Sequence, residues 1–486
     1  MGGQAAVAAG DRQSLDAAVA VLRAGGNAVD AAIGAGFAAA VAEPGLTSLG
    51  GGGFLLLRRP TGQTELIDFF VDTPGRGLDP GALTPHFTPV TVVFSDAEQV
   101  FHAGYGSVAV PGVLNGYLTA HRRLGRLTLA DVVEPARALA LSGVVLSPTQ
   151  AEVLHLLKSI LALTPEAAHT FLVNGSPPKA GDSLANPDYG AFLHHLGAVG
   201  PRSWAELPQT VSLLAAMASG GGLLTHDDLA SYRVHARKPQ QIEFRGARLT
   251  TNPPPSLGGS IVCAALRELD ADQRTSAPPA RALVEALHHA TQAQKTQATN
   301  TPSSTKGTTH VSVIDADGMV ASMTTSNGSC SGVLVPRTGV QLNNMMGEAD
   351  LHPDGFHGAE PGTRVASMMA PSLLDLTDGS VVAIGSGGSE RIRSALLQTV
   401  THLVAGMPLA QAVAAPRVHF DGTTSQLEPD GADVGAAELA PLGPVNRWSR
   451  GSMYFGGVTA GRRHPDGRRE ATGAARRHGA GAVVDL

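Results

Sequence analysis

Residues 310–326, HVSVIDADGMVASMTTS, constrain the fold more than any other stretch of the chain. Apolar and β-branched residues alternate with polar ones on either side of Asp315-Ala316-Asp317-Gly318, and a D-A-D-G turn between two period-2 runs predicts an antiparallel hairpin. Just upstream, the polar run TQATNTPSSTKG reads as exposed and flexible until it meets the strand at Gly307-Thr308-Thr309-His310. A cut before Thr308 would leave a threonine at a chain end. Such a residue holds nucleophile and base together: its hydroxyl attacks, and its α-amine, with a reference pKa of about 7.7–8.0, takes the proton near neutral pH. Without a cut, Thr-Thr-His is only a strand-favouring, solvated start.

Helical spacing dominates much of the rest. LDAAVAVLRAGGNAVDAAIGAGFAAAVAEP, after Ser14, predicts two helices broken by Gly25-Gly26 and restarted at Asn27. SLGGGGFLLLR, from Ser48 to Arg58, predicts a glycine-rich turn into a strand, with a second strand at Thr64 to Phe70. The four glycines lack the Lys-Ser/Thr ending of a phosphate loop and suit close backbone packing instead. Between Pro111 and Ser231 the chain reads as mostly helix, as do Arg281 to Lys295, Ile392 to Ala405 and Leu409 to Ala415. Further strands are expected at Val340 to Leu342, Ser380 to Ile384, around Met453 to Val458 and at Ala482 to Val484.

With 43% hydrophobic but only 4% aromatic residues, the core must be built of Ala, Val and Leu. A net charge of -6 with no basic stripe excludes a nucleic-acid binder and points to small-molecule partners. Cys263 and Cys330 lie at no metal-ligand spacing, and the pairs His194-His195 and His288-His289 face different sides of their helices, so neither metal nor other cofactor is expected. The first residues lack a basic segment and a long apolar run, which suits a cytoplasmic protein, or an exported one whose signal was trimmed from this sequence. The apolar run Ala31 to Val41 is shorter than the ~20 residues a bilayer span needs, so no membrane association is expected.

TTHVSVIDADG, LNNMMGE and GSGGSERI, with AGGNAVDAAIGAGFAAAVAEPGLTSLGGGGFLL, VAVPGVLNGY and LLTHDDLASYRV in the first half, resemble the γ-glutamyltranspeptidases in order and spacing over most of residues 5–460. The resemblance implies an α+β, four-layered αββα fold of the N-terminal-nucleophile hydrolase type. It also implies self-cleavage between Gly307 and Thr308 into a large portion, 1–307, and a small one, 308–486, which together form one catalytic domain, with further oligomerisation left open. Thr308 would be the nucleophile, Ser326 a supporting hydroxyl, and Gly387 and Gly388 the donors to the oxyanion. Asn327, Glu348 and Ser367 would bind the substrate, with Glu348 holding the α-ammonium of a γ-glutamyl group passed to water or to an amino acid or peptide.

Two departures bear on the substrate. Where the family carries an arginine for the α-carboxylate, this chain has Phe70 in Asp68-Phe69-Phe70-Val71-Asp72, and Met368 replaces the second of two carboxylate-binding serines. Arg364 and Arg391 lie near the matched loops and are candidates to restore the charge, Arg391 as a substrate contact. The segment Gly347 to Arg364 is short, which suits an open cleft, longer acyl groups and hydrolysis. The alternatives are a cephalosporin-type or other amide acylase of the same fold, and an unprocessed homologue that only binds ligands.

Overall fold

The computed structural model describes residues 3–79, 85–94, 97–201, 203–271, 278–295, 307–348, 351–352, 355–356, 358–429, 436–449 and 451–486. The polar run expected at 296–306 lies outside them, as do parts of the short segment between Gly347 and Arg364.

The expected hairpin forms, with Gly307–Ile314 and Val320–Gly328 antiparallel and Ile314 opposite Val320. It occupies the middle of a seven-stranded sheet ordered Ala480–Asp485, Gln4–Ala9, Gly307–Ile314, Val320–Gly328, Gly52–Arg58, Thr64–Phe69 and His235–Arg237. A second sheet, ordered Arg469–Gly473, Gly457–Arg463, Val381–Gly387, Ser372–Asp375, Ala247–Thr251 and Gln240–Phe244, packs against its inner face. Helices Arg12–Arg23, Ala28–Ala42 and Val113–Leu124 cover the outside of the first sheet and Leu257–Asp270, Arg391–Val404 and Leu409–Ala414 that of the second, which makes four layers, αββα.

Strand alternation divides the hairpin's side chains between two environments. Val311, Val313, Ala321 and Met323 enter the apolar core beneath the first helical layer. Their neighbours turn inward as a polar layer: His310 Nδ1 lies 2.7 Å from Thr324 Oγ1 and Nε2 3.0 Å from Ser312 Oγ. Ser322 Oγ donates to Ile384 O at 3.2 Å, and Thr459 Oγ1 to His310 O at 3.1 Å, so hydrogen bonds link one sheet to the other. Burial drives the His310 imidazole down to about 3, which keeps it neutral and apt for such a network.

The helix break at Gly25-Gly26 occurs as expected, and Asn27 starts the next helix with a capping box. Its Oδ1 accepts Val29 N at 2.9 Å and Asp30 N at 3.1 Å, while Asp30 Oδ2 accepts Asn27 N at 3.1 Å. The helix is small-residued because it is buried on nearly every side. The run Gly50 to Gly53 does serve close packing: a Cβ at Gly50 would lie 2.1 Å from Gln341 O, and one at Gly51 2.1 Å from Ser326 O.

Strands Thr88–Phe94, Ala97–Ala103, His235–Arg237, Gln240–Phe244, Ala247–Thr251 and Ser372–Asp375 are not among those expected, and three further details differ. Gln4–Ala9 is a strand, inserted between the C-terminal strand and Gly307–Ile314. Met453–Phe455 is a 3₁₀ turn and the strand starts only at Gly457, because Gly456 adopts φ 76°. Arg469–Gly473 adds a strand that its polar sequence did not announce. Among the described residues, no helix is long and apolar enough to cross a membrane, and both cysteines are buried and unpaired with each other.

Candidate active site

Thr308 is the second residue of the central strand, and the register shifts between Gly307 and Thr309, so a bulge falls at the junction itself. A bulge re-aims the side chain, and here Thr308 Oγ1 donates towards Ser326 Oγ, 3.5 Å away on the neighbouring strand. The Ser326 hydroxyl in turn donates to the carbonyl oxygen of Gly307 and accepts Gly328 N at 3.0 Å. The serine therefore contacts both sides of the Gly307–Thr308 peptide bond. Glycine is required before the threonine by crowding: a Cβ at Gly307 would stand 2.5 Å from Gly45 O and 2.6 Å from Gly328 O.

Thr308 and Ser326 open into a narrow cleft, with Glu348 and Ser367 also in its wall. Glu348 is buried, with Oε1 packed against Gly328, where a Cβ would come within 2.5 Å of it. Ser367 Oγ accepts Met369 N at 3.1 Å, and Ser367 O accepts Leu257 N at 2.8 Å, which ties this segment to the start of a helix. Strand Val381–Gly387 ends against the threonine: a Cβ on Gly387 would lie 2.1 Å from Thr308 O. Gly388 at φ 122° and Ser389 at φ 54° then turn the chain into helix Arg391–Val404. Ser389 and Ile392 line the cleft, so the positive end of that helix faces Thr308.

Two residues expected at the substrate are not in the cleft wall. On a strand, neighbouring side chains point to opposite faces. Ser326 faces Thr308, and Asn327 turns away to donate from Nδ2 to Leu342 O at 3.3 Å. Arg391 is buried with its guanidinium 4.8 Å over the Tyr454 ring and Nε donating to Tyr454 O at 3.0 Å. Arg364 does not replace the family arginine either. Its Nη1 donates to Asp68 Oδ1 at 2.8 Å and to Phe70 O at 2.7 Å, Nη2 to Arg233 O at 2.8 Å, and Nε lies 2.7 Å from Asp72. Phe70 stands in the wall with its ring stacked on Phe54, centroids 5.5 Å apart.

Sequence reasoning missed Arg477, whose Nη1 donates to Thr308 O at 3.1 Å from 169 residues away. Nothing local marks it among the C-terminal arginines. Burial, aided by Arg391, lowers its guanidinium to about 10, with Glu43 opposing. Glu43 accepts Thr309 Oγ1 at 2.9 Å, and burial followed by repulsion from Asp11 raises its carboxyl to about 8. The side of the strand away from the cleft is thus also charged and enclosed. Ser389, Met345, Leu351, Met369 and Ile392 complete the cleft wall and were also not anticipated.

Comparison with known proteins finds relatives along most of the chain. The profile of the family described as Gamma-glutamyltranspeptidase matches residues 15–301 and 271–484. The chain is 32% identical over 508 residues to the Acylase ACY 1 proenzyme of Pseudomonas sp. (strain SE83), covering 94% of this chain and 88% of that one. It is 28% identical over 486 residues to the Glutathione hydrolase proenzyme of Pseudomonas sp. (strain A14), covering 87% and 82%. In fold it is similar to the cephalosporin acylase from Bacillus halodurans, with a TM-score of 0.80, 23% identity, and coverage of 100% of this chain and 96% of that one. The profile spans nearly the whole sequence, and the chain belongs to the gamma-glutamyltranspeptidase family.

Proposed function

We propose that the chain is a proenzyme that cuts itself between Gly307 and Thr308 and then uses Thr308 to transfer the acyl group of an amide, principally to water. The observation that carries this reading is the contact of one serine with both the candidate nucleophile and the carbonyl it would attack. Thr308 Oγ1 adds to the Gly307 carbonyl carbon while the Ser326 hydroxyl holds the carbonyl oxygen as it becomes negative. The hydroxyl proton passes to the peptide nitrogen, the C–N bond breaks to free the α-amine of Thr308, and water hydrolyses the resulting ester to leave a Gly307 carboxylate and a free Thr308 hydroxyl.

In the mature site the same hydroxyl attacks the donor amide and its proton passes to the α-amine. Gly387 and Gly388, at the positive end of helix Arg391–Val404, receive the oxyanion. The proton then goes to the departing amine as the C–N bond breaks, and water resolves the acyl-threonine. Glu348 receives an ammonium on the acyl group by a charge-assisted hydrogen bond, and Ser367 offers its hydroxyl beside it. Asn327 and Arg391 act through the walls behind the cleft, not by touching the substrate.

Glutathione or another γ-glutamyl amide is one donor class, and the presence of Glu348 in the cleft favours it. An amide acylase is the second, favoured by an apolar cleft wall and by the likeness to a protein named an acylase. Intact mass under denaturing conditions, on wild type and Thr308→Ala incubated at neutral pH, tests the first step. Wild type is expected as two pieces, 1–307 and 308–486, and the variant as one. A wild-type chain that stays whole would leave a ligand-binding homologue as the surviving reading.

A further inference from the structure

The cleft wall restricts which acyl group Thr308 can receive. Six of the eleven residues lining the cleft are apolar: Phe70, Met345, Leu351, Met368, Met369 and Ile392. The others are four hydroxyl side chains and Glu348, so among the described lining residues there is one acidic side chain and no basic one. Three arginines lie nearby, and each is engaged elsewhere, Arg477 outside the cleft lining on Thr308 O. Arg364 is held behind Phe70 by Asp68, Asp72 and two backbone carbonyls, and Arg391 lies on Tyr454. Phe70 is itself fixed, since its ring stacks on Phe54 and its N–H donates to Asp68 Oδ1 at 2.9 Å.

A carboxylate entering this space would lose water, find hydroxyls and a helix N-terminus but no full counter-ion, and face Glu348 as a like charge. An ammonium would lose water too, but it would gain the Glu348 carboxylate, and its aliphatic stem would gain the apolar wall. Resting on the reading of Thr308 as an acyl-transfer nucleophile, we infer that the enzyme selects aliphatic acyl groups that carry an amine and no carboxylate. Glu348 receives the ammonium, and Phe70 and Met368 cover the chain where a carboxylate would need polar partners.

Four p-nitroanilides separate the two charges cleanly. γ-Glutamyl carries amine and carboxylate, 4-aminobutyryl the amine alone, glutaryl the carboxylate alone and butyryl neither. With uncatalysed release subtracted, 4-aminobutyryl is expected to have the highest kcat/KM, about tenfold or more above γ-glutamyl, with glutaryl lowest. Within Glu348→Gln the ratio of 4-aminobutyryl to butyryl should fall, and within Met368→Lys the ratio of glutaryl to 4-aminobutyryl should rise. Both are ratios inside one variant, so partial misfolding does not move them.

A self-cleaved enzyme that turns over γ-glutamyl or glutaryl as fast as 4-aminobutyryl, or none of the four, overturns the inference and leaves the cleavage at Thr308 standing. A wild-type chain that stays whole overturns both.

Discussion

Gly387 has no room for a side chain, although its backbone conformation would accept one. A Cβ there would stand 2.1 Å from Thr308 O and 2.4 Å from Arg477 Nη1, and neither a main-chain carbonyl on a central strand nor a buried guanidinium yields cheaply. Gly387→Ala is therefore expected to push the threonine out of place while the sheets persist. A displacement of about 1 Å costs on the order of 10²-fold in rate. The loss should appear as slowed appearance of the 308–486 piece by intact mass, with an unchanged circular dichroism spectrum. The glycine pair was legible in the sequence as part of GSGGSERI, but the reason for it was not, because Thr308 O and Arg477 reach the position only through the tertiary fold.

Elements were readable where their ends are written locally. Gly25-Gly26-Asn27 stops one helix and caps the next with contacts that stay between Val21 and Asp30. Asn27 also donates from Nδ2 to Leu124 O at 2.6 Å, so it fastens the helix to its neighbour. Asn27→Ala is expected to cost about 1–2 kcal/mol, the usual worth of a capping side chain. Calorimetry on the Thr308→Ala background, where the chain is kept in one piece, should show this as a lowered Tm. Gln4–Ala9 was not readable in the same way: QAAVAA is largely alanine, which has little preference for strands. It becomes one because it pairs with Gly307–Ile314 on one side and Ala480–Asp485 on the other. Arg469–Gly473 is likewise made a strand by pairing with Gly457–Arg463.

On the scale of the whole molecule, the portions before and after Gly307 each place strands in both sheets. They are also joined by charge, with Arg364 of the second portion paired to Asp68 and Asp72 of the first. Desolvation raises the Asp72 carboxyl to about 6 even with Arg364 opposing it. Removing the cation therefore leaves buried acid without its partner. Arg364→Met is expected to cost about 3–5 kcal/mol, the range for breaking one side of a buried pair. Its Tm should fall well below wild type, and the two portions should separate at lower urea concentration on size exclusion.

The sequence by itself determined the central hairpin, the capped helix pair, the family and the residues Thr308, Ser326, Glu348, Ser367, Gly387 and Gly388 as a candidate set. The hairpin and the helix pair follow from alternation and turn chemistry, which are local, whereas the family and the candidate residues follow from the resemblance of several motifs in order along the chain. Tertiary structure alone decided that the bulge at Gly307–Thr308 turns the threonine to Ser326, that Asn327 points the other way, and that Arg364 and Arg391 are held outside the cleft wall. The physical reason is that a side chain's direction and a charge's partner depend on strands and helices distant in the chain, and an arginine reads the same in sequence whether it faces a substrate or a buried aspartate.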